Sequence, residues 1–204
     1  MPELFNLQTA AFESAEIVSP MQLREIDDFV DHWHPPMDRI VQELKRQGID
    51  THAERTARNV EDSHWKWPEK YVDRAGILEW NSFALRCADQ TQGLMYVNML
   101  RRCKLSVQAK QHLVYVDLLA TAPWNRSRLT ATPLYRGVGL ILFTEAVILS
   151  MEEGFGGRVG LHSLTGADEF YGKRLLMQDL GPDPAYHNLH YFEFTATQAD
   201  AFLT

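Results

Sequence analysis

The sequence has few cysteines, no excess of basic residues and no long apolar run. Cys87 and Cys103 are the only cysteines among 204 residues, so there is no disulfide framework, and reduced thiols in a cytoplasmic protein are expected. Acidic residues outnumber basic ones by 27 to 20, which argues against a nonspecific nucleic acid-binding protein because such a protein needs a basic face. The N-terminal segment lacks the basic and apolar stretches of a signal peptide, and no stretch is long enough to span a membrane. We therefore expect a cytoplasmic protein whose partners include neither membranes nor nucleic acids.

The pattern of apolar residues divides the chain at about residue 75. Residues 1–75 are polar and rich in histidine and tryptophan, and helical spacing predicts one helix from Met21, a break at Pro35-Pro36, and a second helix closed by Gly48. Residues 76–204 are expected to form the core. Their pattern predicts a hairpin (83–87 with 93–99), a strand (113–120), a helix (136–153), a strand (157–163), a helix (166–177) and a strand (190–195). This order predicts an α/β fold in which a mixed sheet has helices on both faces.

A glycine-rich turn stands between the predicted strand 113–120 and the following apolar helix. It reads Leu134-Tyr135-Arg136-Gly137-Val138-Gly139. Without side chains at Gly137 and Gly139, a phosphate can approach the backbone N–H groups at the positive end of the helix dipole. The turn therefore predicts a ligand that carries a pyrophosphate.

Two common nucleotide-binding motifs do not fit this turn. A dinucleotide fold needs a third glycine, but the residues that follow Gly139 are Leu140-Ile141-Leu142. A P-loop needs a lysine followed by serine or threonine, and neither follows here. The ligand is therefore expected to belong to another class.

A second motif lies downstream, where the chain reads Ala167-Asp168-Glu169-Phe170-Tyr171-Gly172-Lys173. With the glycine turn, it makes residues 112–195 resemble the Gcn5-related N-acetyltransferase (GNAT) superfamily, whose pyrophosphate loop is [Q/R]-x-x-G-x-G/A and whose later helix carries A-x-x-F-Y-x-K. Leu134 departs from the loop pattern, which has Gln or Arg there, and Leu164 stands where asparagine is often found. The order and spacing of the two motifs are more specific than either motif alone.

The resemblance implies an N-acetyltransferase that uses acetyl-CoA as co-substrate and moves the acetyl group directly to an amine in a ternary complex. It also implies a mostly antiparallel central sheet whose splayed middle strands hold the pantetheine arm of the cofactor. Backbone groups of Leu119, Ala120 and Thr121 would pair with that arm. The N–H groups that would hold the pyrophosphate belong to Tyr135, Arg136, Gly137, Val138, Gly139 and Leu140.

Tyr171 is the candidate catalytic acid, because the family's tyrosine at this position points at the cofactor sulfur and a phenol can protonate a departing thiolate. The structural alternative is an aromatic pair, Phe170-Tyr171, that packs the helix on the sheet.

Asp117 is the candidate catalytic base, because a carboxylate inside an apolar strand needs a reason to be there. Strand alternation puts it on one face with Tyr115, Leu119 and Thr121. A structural aspartate, a base at His162 or Glu193, and a water relay without a dedicated base remain open.

The sequence leaves other roles open. Positive charge near the cofactor would come from Arg126, Arg128 or Arg136, and the long connection 124–133 either flanks the ligands or is a surface loop. The histidines of the N-terminal region do not form a strong metal pattern, so no metal is expected. The N-terminal helical region, with Trp65 and Trp67, either contributes to acceptor binding or only packs on the core.

The acceptor class is also open, because one fold hosts acetyltransferases for many amines. An apolar last strand (191–194) would allow a homodimer. The functional alternative is a non-catalytic acyl-CoA-binding regulatory or interaction module, which the departures at Leu134 and Leu164 favour, whereas Tyr171 and Asp117 favour an enzyme.

Overall fold

The computed structural model describes residues 1–204. Its strands, in chain order, are β1 (Glu3–Asn6), β2 (Ala11–Val18), β3 (Trp80–Cys87), β4 (Gln90–Asn98), β5 (Val114–Thr121), β6 (Tyr135–Arg136), β7 (Val159–Ser163), β8 (Gln178–Asp183) and β9 (Leu189–Phe194). Its α-helices are α1 (Leu23–Asp28), α2 (His34–Arg46), α3 (His52–Ala57), α4 (Trp67–Arg74), α5 (Val138–Glu152) and α6 (Ala196–Phe202). No helix combines the length and the apolar character that crossing a bilayer requires.

The strands follow the hydrogen-bonded order β6-β1-β2-β3-β4-β5-β7-β9-β8. Antiparallel pairing joins β1 to β2 and β6, β2 to β3, and β9 to β7 and β8, whereas β5 and β7 are parallel. This confirms the predicted mixed, mostly antiparallel sheet.

The parallel ladder between β5 and β7 is short. It joins Val114–Val116 to Val159–Leu161 and then ends, although β5 continues to Thr121 and β7 to Ser163. The two middle strands therefore diverge after three residue pairs, as the splayed sheet of the resemblance predicts.

Two compact units make up the chain. The first contains residues 1–77, 82–95 and 119–142, and the second contains residues 78–81, 96–118 and 143–204. These boundaries differ from the sequence-based division at residue 75, and the role of the N-terminal helical region in acceptor binding stays a prediction.

Aromatic side chains fill the core of the first unit. Trp33 and Trp67 are fully buried, and the Trp33 ring meets Trp124 edge to face at a centroid distance of 6.2 Å. A π-helical turn at Phe29–Trp33 links α1 to α2 without a break, so the predicted break at Pro35-Pro36 is wrong. Both prolines stand in the first turn of α2, directly after the π-helical turn.

Three phenylalanine rings organise the core of the second unit. Phe143 of α5, Phe194 of β9 and Phe202 of α6 make edge-to-face contacts at centroid distances of 5.3, 5.6 and 6.0 Å. These contacts attach the body of α5 and the C-terminal helix α6 to the same strand.

Several elements differ from the sequence-based predictions. β1 and β2 occupy the start of a region that was predicted to be mostly helical, and β8 was not predicted. The predicted helix 166–177 is present from Thr165 to Arg174, with 3₁₀ geometry at Thr165–Ala167 and π geometry at Phe170–Arg174. Strand β9 pairs with β7 and β8 and its apolar side chains are buried, so it does not provide the dimer surface suggested for residues 191–194.

Gly93 of β4 allows α5 to lie directly against the sheet of the first unit. A Cβ atom at this position would lie 2.6 Å from Val138 Cγ1 and 2.7 Å from Leu142 Cδ1, closer than carbon atoms approach. The missing side chain therefore fixes where the N-terminal turn of α5 sits.

Replacing Gly93 by alanine is expected to destabilise the protein by about 1–3 kcal/mol, because the added methyl group forces α5 away from β4. Urea unfolding measures the change. The exposed Gln90 begins the same strand, and Gln90→Ala should change the stability by less than about 0.5 kcal/mol. Equal unfolding free energies for the two variants would contradict the close packing.

Candidate active site

The predicted phosphate turn lies in the first unit, between β6 and α5. Gly137 has a φ of 104°, a conformation that side chains disfavour, and α5 begins at the next residue. Val138 and Gly139 therefore belong to the first helical turn, whose N–H groups have no acceptor within the helix. The structure thus builds the helix N-terminus that the sequence predicted at this place.

Tyr135, just before this turn, is engaged within the protein. Its N–H donates to Asn125 Oδ1 at 2.9 Å, and its hydroxyl donates to Glu13 Oε2 at 2.5 Å. Burial, reinforced by the hydrogen bond to Glu13, raises the pKa of Tyr135. The neighbouring Arg136 is exposed, and its guanidinium carbon lies 5.1 Å from the centre of the Phe5 ring.

Buried polar groups hold the start of the long connection 124–133. Gln92, fully buried in β4, accepts hydrogen bonds at Oε1 from Trp124 Nε1 at 2.8 Å and from Asn125 Nδ2 at 2.9 Å. Asn125 in turn holds the N–H of Tyr135. The connection is therefore anchored at its first residues and is not merely a solvated loop.

Arg126 makes a buried ion pair with Asp62. Its two terminal nitrogens each lie 2.7 Å from a carboxylate oxygen of Asp62, and Nε donates to the Thr121 carbonyl at 2.8 Å. The Arg126 guanidinium is therefore bound within the first unit. Arg128 and Arg136 are the better candidates for supplying positive charge near the cofactor. Arg128 is exposed and donates to the Thr56 carbonyl at 3.1 Å.

Arg126→Met is expected to destabilise the protein by about 3–5 kcal/mol, because it leaves the Asp62 carboxylate buried without its partner. Arg128→Met removes the same charge from the surface and should cost less than about 0.5 kcal/mol. Urea unfolding of both variants measures the difference. Similar losses in the two would show that the buried ion pair does not carry this stability.

Asp117 lies in the second unit, one residue beyond the end of the β5–β7 ladder. Alternation along β5 buries Val116 and Leu118 and leaves Asp117 half-buried on the face that it shares with Tyr115. The carboxylate is less buried than the apolar sequence suggested. Burial is the largest cause of the raised pKa of Tyr115, and the negative charge of Asp117 raises that pKa further.

His162 of β7 joins Tyr115 to Asp183 of β8. Its Nδ1 lies 2.7 Å from the Tyr115 hydroxyl oxygen, and its Nε2 lies 3.0 Å from Asp183 Oδ2. Burial lowers the pKa of His162, and hydrogen bonds from Lys104 and His162 lower the pKa of Asp183. The structure thus brings Asp117 and the alternative base His162 to the same face of the diverging strands.

Glu193, the other alternative base, has a structural role. It is fully buried, and its carboxylate accepts hydrogen bonds from the Lys104 and Leu105 N–H groups, Gln108 Nε2 and the Tyr191 hydroxyl. These bonds hold the segment after β4 against β9. The Glu193 carboxylate oxygens are therefore occupied by donors within the protein.

Tyr171 is buried in the π turn after β7, where it contacts Phe170 and Phe192 at centroid distances of 5.1 and 6.1 Å. Burial raises the pKa of Tyr171, so the phenol is protonated at neutral pH and can donate a hydrogen bond. Phe192 points to the opposite face of β9 from Tyr191 and Glu193. Tyr171 therefore lies on the other side of the sheet from His162, the pairing partner of Tyr191.

Cys103, Trp65 and Trp67 are not among these candidate catalytic groups. Burial raises the pKa of Cys103 to about 11, which keeps its thiol protonated at neutral pH and unsuited to nucleophilic attack. Trp67 is buried in the first unit and Trp65 is half-buried beside it at 6.3 Å. No group of three or more His, Cys, Asp or Glu side chains is placed to bind a metal ion. Gly93, Gln92 and Tyr115 are site-shaping residues that the motifs did not reveal.

The fold of this chain is similar to that of solved acetyltransferase structures, although its sequence is not. The sequence matches no protein family model and no curated protein. The solved structures that resemble it include the PaiA N-acetyltransferase from Thermoplasma acidophilum in complex with coenzyme A, at 13% identity and a TM-score of 0.54, with 88% of this chain and 98% of that chain covered. A histone acetyltransferase HPA2-related protein from Corynebacterium glutamicum matches at 14% identity and a TM-score of 0.49, with 88% and 95% covered. The predicted resemblance to GNAT acetyltransferases is thus confirmed at the level of the fold.

Proposed function

We propose that this protein is an acetyl-CoA-dependent N-acetyltransferase that transfers the acetyl group directly to an amine in a ternary complex. The observation that carries the proposal is the early end of the β5–β7 ladder, with a carboxylate on one face and a buried phenol on the other. A structure of the same fold, the PaiA N-acetyltransferase, is in complex with coenzyme A. A thioester held between the diverging strands would have a proton acceptor on one side and a proton donor on the other.

The proposed cofactor contacts use mainly backbone. Leu119, Ala120 and Thr121 of β5 would pair with the pantetheine amides beyond the end of the ladder. The pyrophosphate would be held by N–H groups between Arg136 and Leu140, where the helix dipole favours an anion. Because the Tyr135 N–H already donates to Asn125, Tyr135 would contribute through the position of its backbone rather than through a bond to the ligand.

The proposed reaction assigns one proton transfer to each face. Asp117 takes a proton from the acceptor ammonium, and the neutral nitrogen then attacks the thioester carbonyl. The N–C bond forms and the C–S bond breaks. The departing thiolate receives a proton from Tyr171, and the nitrogen, on becoming an amide, releases its second proton to solvent, from which Tyr171 is reprotonated. Holding both substrates together in the cleft can lower the activation barrier by about 7–11 kcal/mol.

A non-catalytic acyl-CoA-binding module of the same fold is the second candidate. The departures at Leu134 and Leu164 favour it, because both positions usually carry polar side chains in the family. The two candidates share cofactor binding and differ in turnover, so one experiment addresses each property.

Calorimetric titration tests the cofactor. Acetyl-CoA and CoA are expected to bind and ATP to bind poorly, and Gly137→Glu should weaken acetyl-CoA binding by about tenfold or more because it opposes the pyrophosphate with a negative charge. Gly48 also has a positive φ and open space around it, so Gly48→Glu adds the same charge and similar strain far from the turn and should bind normally. Absence of acetyl-CoA binding to the unaltered protein would refute both candidates.

Removing the phenol of Tyr171 tests turnover. Tyr171→Phe is expected to lower kcat by about 10²-fold or more while the affinity for acetyl-CoA is retained, because only the proton donor is lost. CoA release with a panel of primary amines (a polyamine, an aminoglycoside and a lysine-containing peptide) measures the rate. Tyr71→Phe removes a phenol from α4 and should leave the rate unchanged. Equal rates for Tyr171→Phe and the unaltered protein would remove the acid role.

A further inference from the structure

A chain of hydrogen bonds crosses three strands of the second unit. The Tyr115 hydroxyl on β5 meets His162 Nδ1 on β7 at 2.7 Å, and His162 Nε2 meets Asp183 Oδ2 at the end of β8 at 3.0 Å. The His162 ring is stacked on Tyr186 at a centroid distance of 3.7 Å and an interplanar angle of 10°. Its side chain is only 4% exposed, so its orientation is fixed by these contacts.

The partners determine where the protons lie in this chain. Ionised Asp183 only accepts, and it already accepts from Lys104 Nζ at 2.5 Å, so the proton on the His162 ring must be on Nε2. His162 Nδ1 is then an acceptor, and the Tyr115 hydroxyl is its donor. Every donor in the chain therefore points from Tyr115 towards Asp183, which is the arrangement that a proton relay requires.

The chain begins where the proposed reaction releases a proton. Tyr115 and Asp117 share one face of β5, and their Cα atoms are about 7 Å apart. One water between the phenol and the carboxylate would connect the two side chains. The Tyr115–His162 bond itself joins β5 to β7 at the end of the ladder, with Tyr115 one residue before the last pair and His162 one residue after it. With that water in place, the carboxylate proposed to face the acceptor amine would be connected to the chain.

We propose that Tyr115, His162 and Asp183 form a proton relay. The relay removes the acceptor's proton from Asp117, and His162 holds this proton during acetyl transfer. The inference rests on the proposed acetyltransferase function and adds three positioning residues to it. None of the three is assigned by the motifs that resemble the GNAT superfamily.

The relay transfers the acceptor's proton from Asp117 to His162. Asp117, protonated by the acceptor ammonium, returns its proton to the Tyr115 oxygen, through one water, as the phenolic proton of Tyr115 moves to His162 Nδ1. The products are a neutral amine, an ionised Asp117, a neutral Tyr115 and an imidazolium paired with Asp183. The Asp183 carboxylate, hydrogen-bonded to Nε2, stabilises the imidazolium that the transfer creates. Asp183, whose side chain is 18% exposed, then gives the imidazolium access to solvent.

The charges around His162 set its basicity. Burial is the main cause that lowers the pKa of His162, Lys104 and Arg101 lower it further, and Asp183 raises it. The titratable and charged groups that face the chain from neighbouring elements are Arg101, Cys103, Lys104, Asp117, Tyr186, Tyr191 and Glu193. Lys104→Met is therefore expected to raise the pKa of His162, and Asp183→Asn to lower it.

The tautomer of His162 can be tested in the free protein, without an acceptor. Nitrogen-15 NMR of the imidazole should show Nε2 protonated and Nδ1 unprotonated, and Tyr115→Phe should shift the Nδ1 resonance because the donor is lost. A proton on Nδ1 in the unaltered protein would overturn the relay, since that nitrogen could not accept from Tyr115. This result does not depend on whether acetyl-CoA binds.

The pH dependence of kcat/KM tests whether the proton reaches His162 during turnover with the amines of the panel. The acid limb should follow the pKa of His162 measured by NMR, moving to higher pH in Lys104→Met and to lower pH in Asp183→Asn. Tyr115→Phe should lower kcat/KM by about 10²-fold, with acetyl-CoA affinity retained. His190 is paired with Asp179 at 2.9 Å on the neighbouring strands, and His190→Gln removes a comparable pair that is outside the relay and should leave the profile unchanged.

The outcomes separate this inference from the proposed function. An acid limb that stays in place while the NMR-measured pKa of His162 moves would overturn the relay and leave the acetyltransferase function intact. Failure of the unaltered protein to bind acetyl-CoA would refute the function itself, and the tautomer measurement would still report on the hydrogen-bonded chain. Binding without CoA release from any amine would overturn the relay and favour the non-catalytic module.

Discussion

The early end of the β5–β7 ladder is the constraint on which the rest of this structure depends. Two parallel strands that stay paired leave no room for a ligand between them, because their backbone N–H and C=O groups are hydrogen-bonded to each other. Here the pairing stops at Val116 and Leu161, so the residues beyond must be stabilised by other means. The side chains at this point are accordingly unusual for a sheet interior, with Asp117 on β5 and His162 on β7. Divergence and polarity therefore occur at the same place.

Buried polar groups stabilise the connections that such a sheet cannot hold by pairing alone. In the first unit, Gln92 and the Arg126–Asp62 ion pair fix the connection that leads to the glycine turn. In the second unit, Glu193 holds the segment before β5 through two backbone N–H groups and Gln108. Each of these groups would be costly if it were buried without partners, and each has several. These hydrogen bonds and the ion pair hold the connecting segments in fixed positions, as strand pairing does for the strands.

The sequence predicts the parts of this architecture that depend on local pattern. The strand 113–120 and the helix 136–153 are recognisable because their apolar runs exceed what a surface element tolerates, and they correspond to β5 and α5 within one or two residues at each end. β1 and β8 were missed because their side chains are mostly polar or irregular in period and long-range pairing determines their conformation. Gly93 was missed for a related reason, since only the packing of α5 shows why a side chain is excluded there.

The electrostatic character of the candidate site likewise comes from contacts that no local pattern contains. His162 stands alone on an alternating strand, and its sequence neighbours give no sign of a partner. Folding brings Tyr115 from 47 positions away and Asp183 from 21 positions away to its two ring nitrogens. Burial makes the uncharged imidazole the favoured form and lowers the pKa of His162, whereas the hydrogen bond to Asp183 opposes that shift and stabilises the charged form. A buried histidine without the carboxylate would be too weak a base, and an exposed one would lack a fixed tautomer. The balance between burial and the Asp183 carboxylate is therefore the property that distinguishes a proton-accepting chain from a purely structural contact between strands.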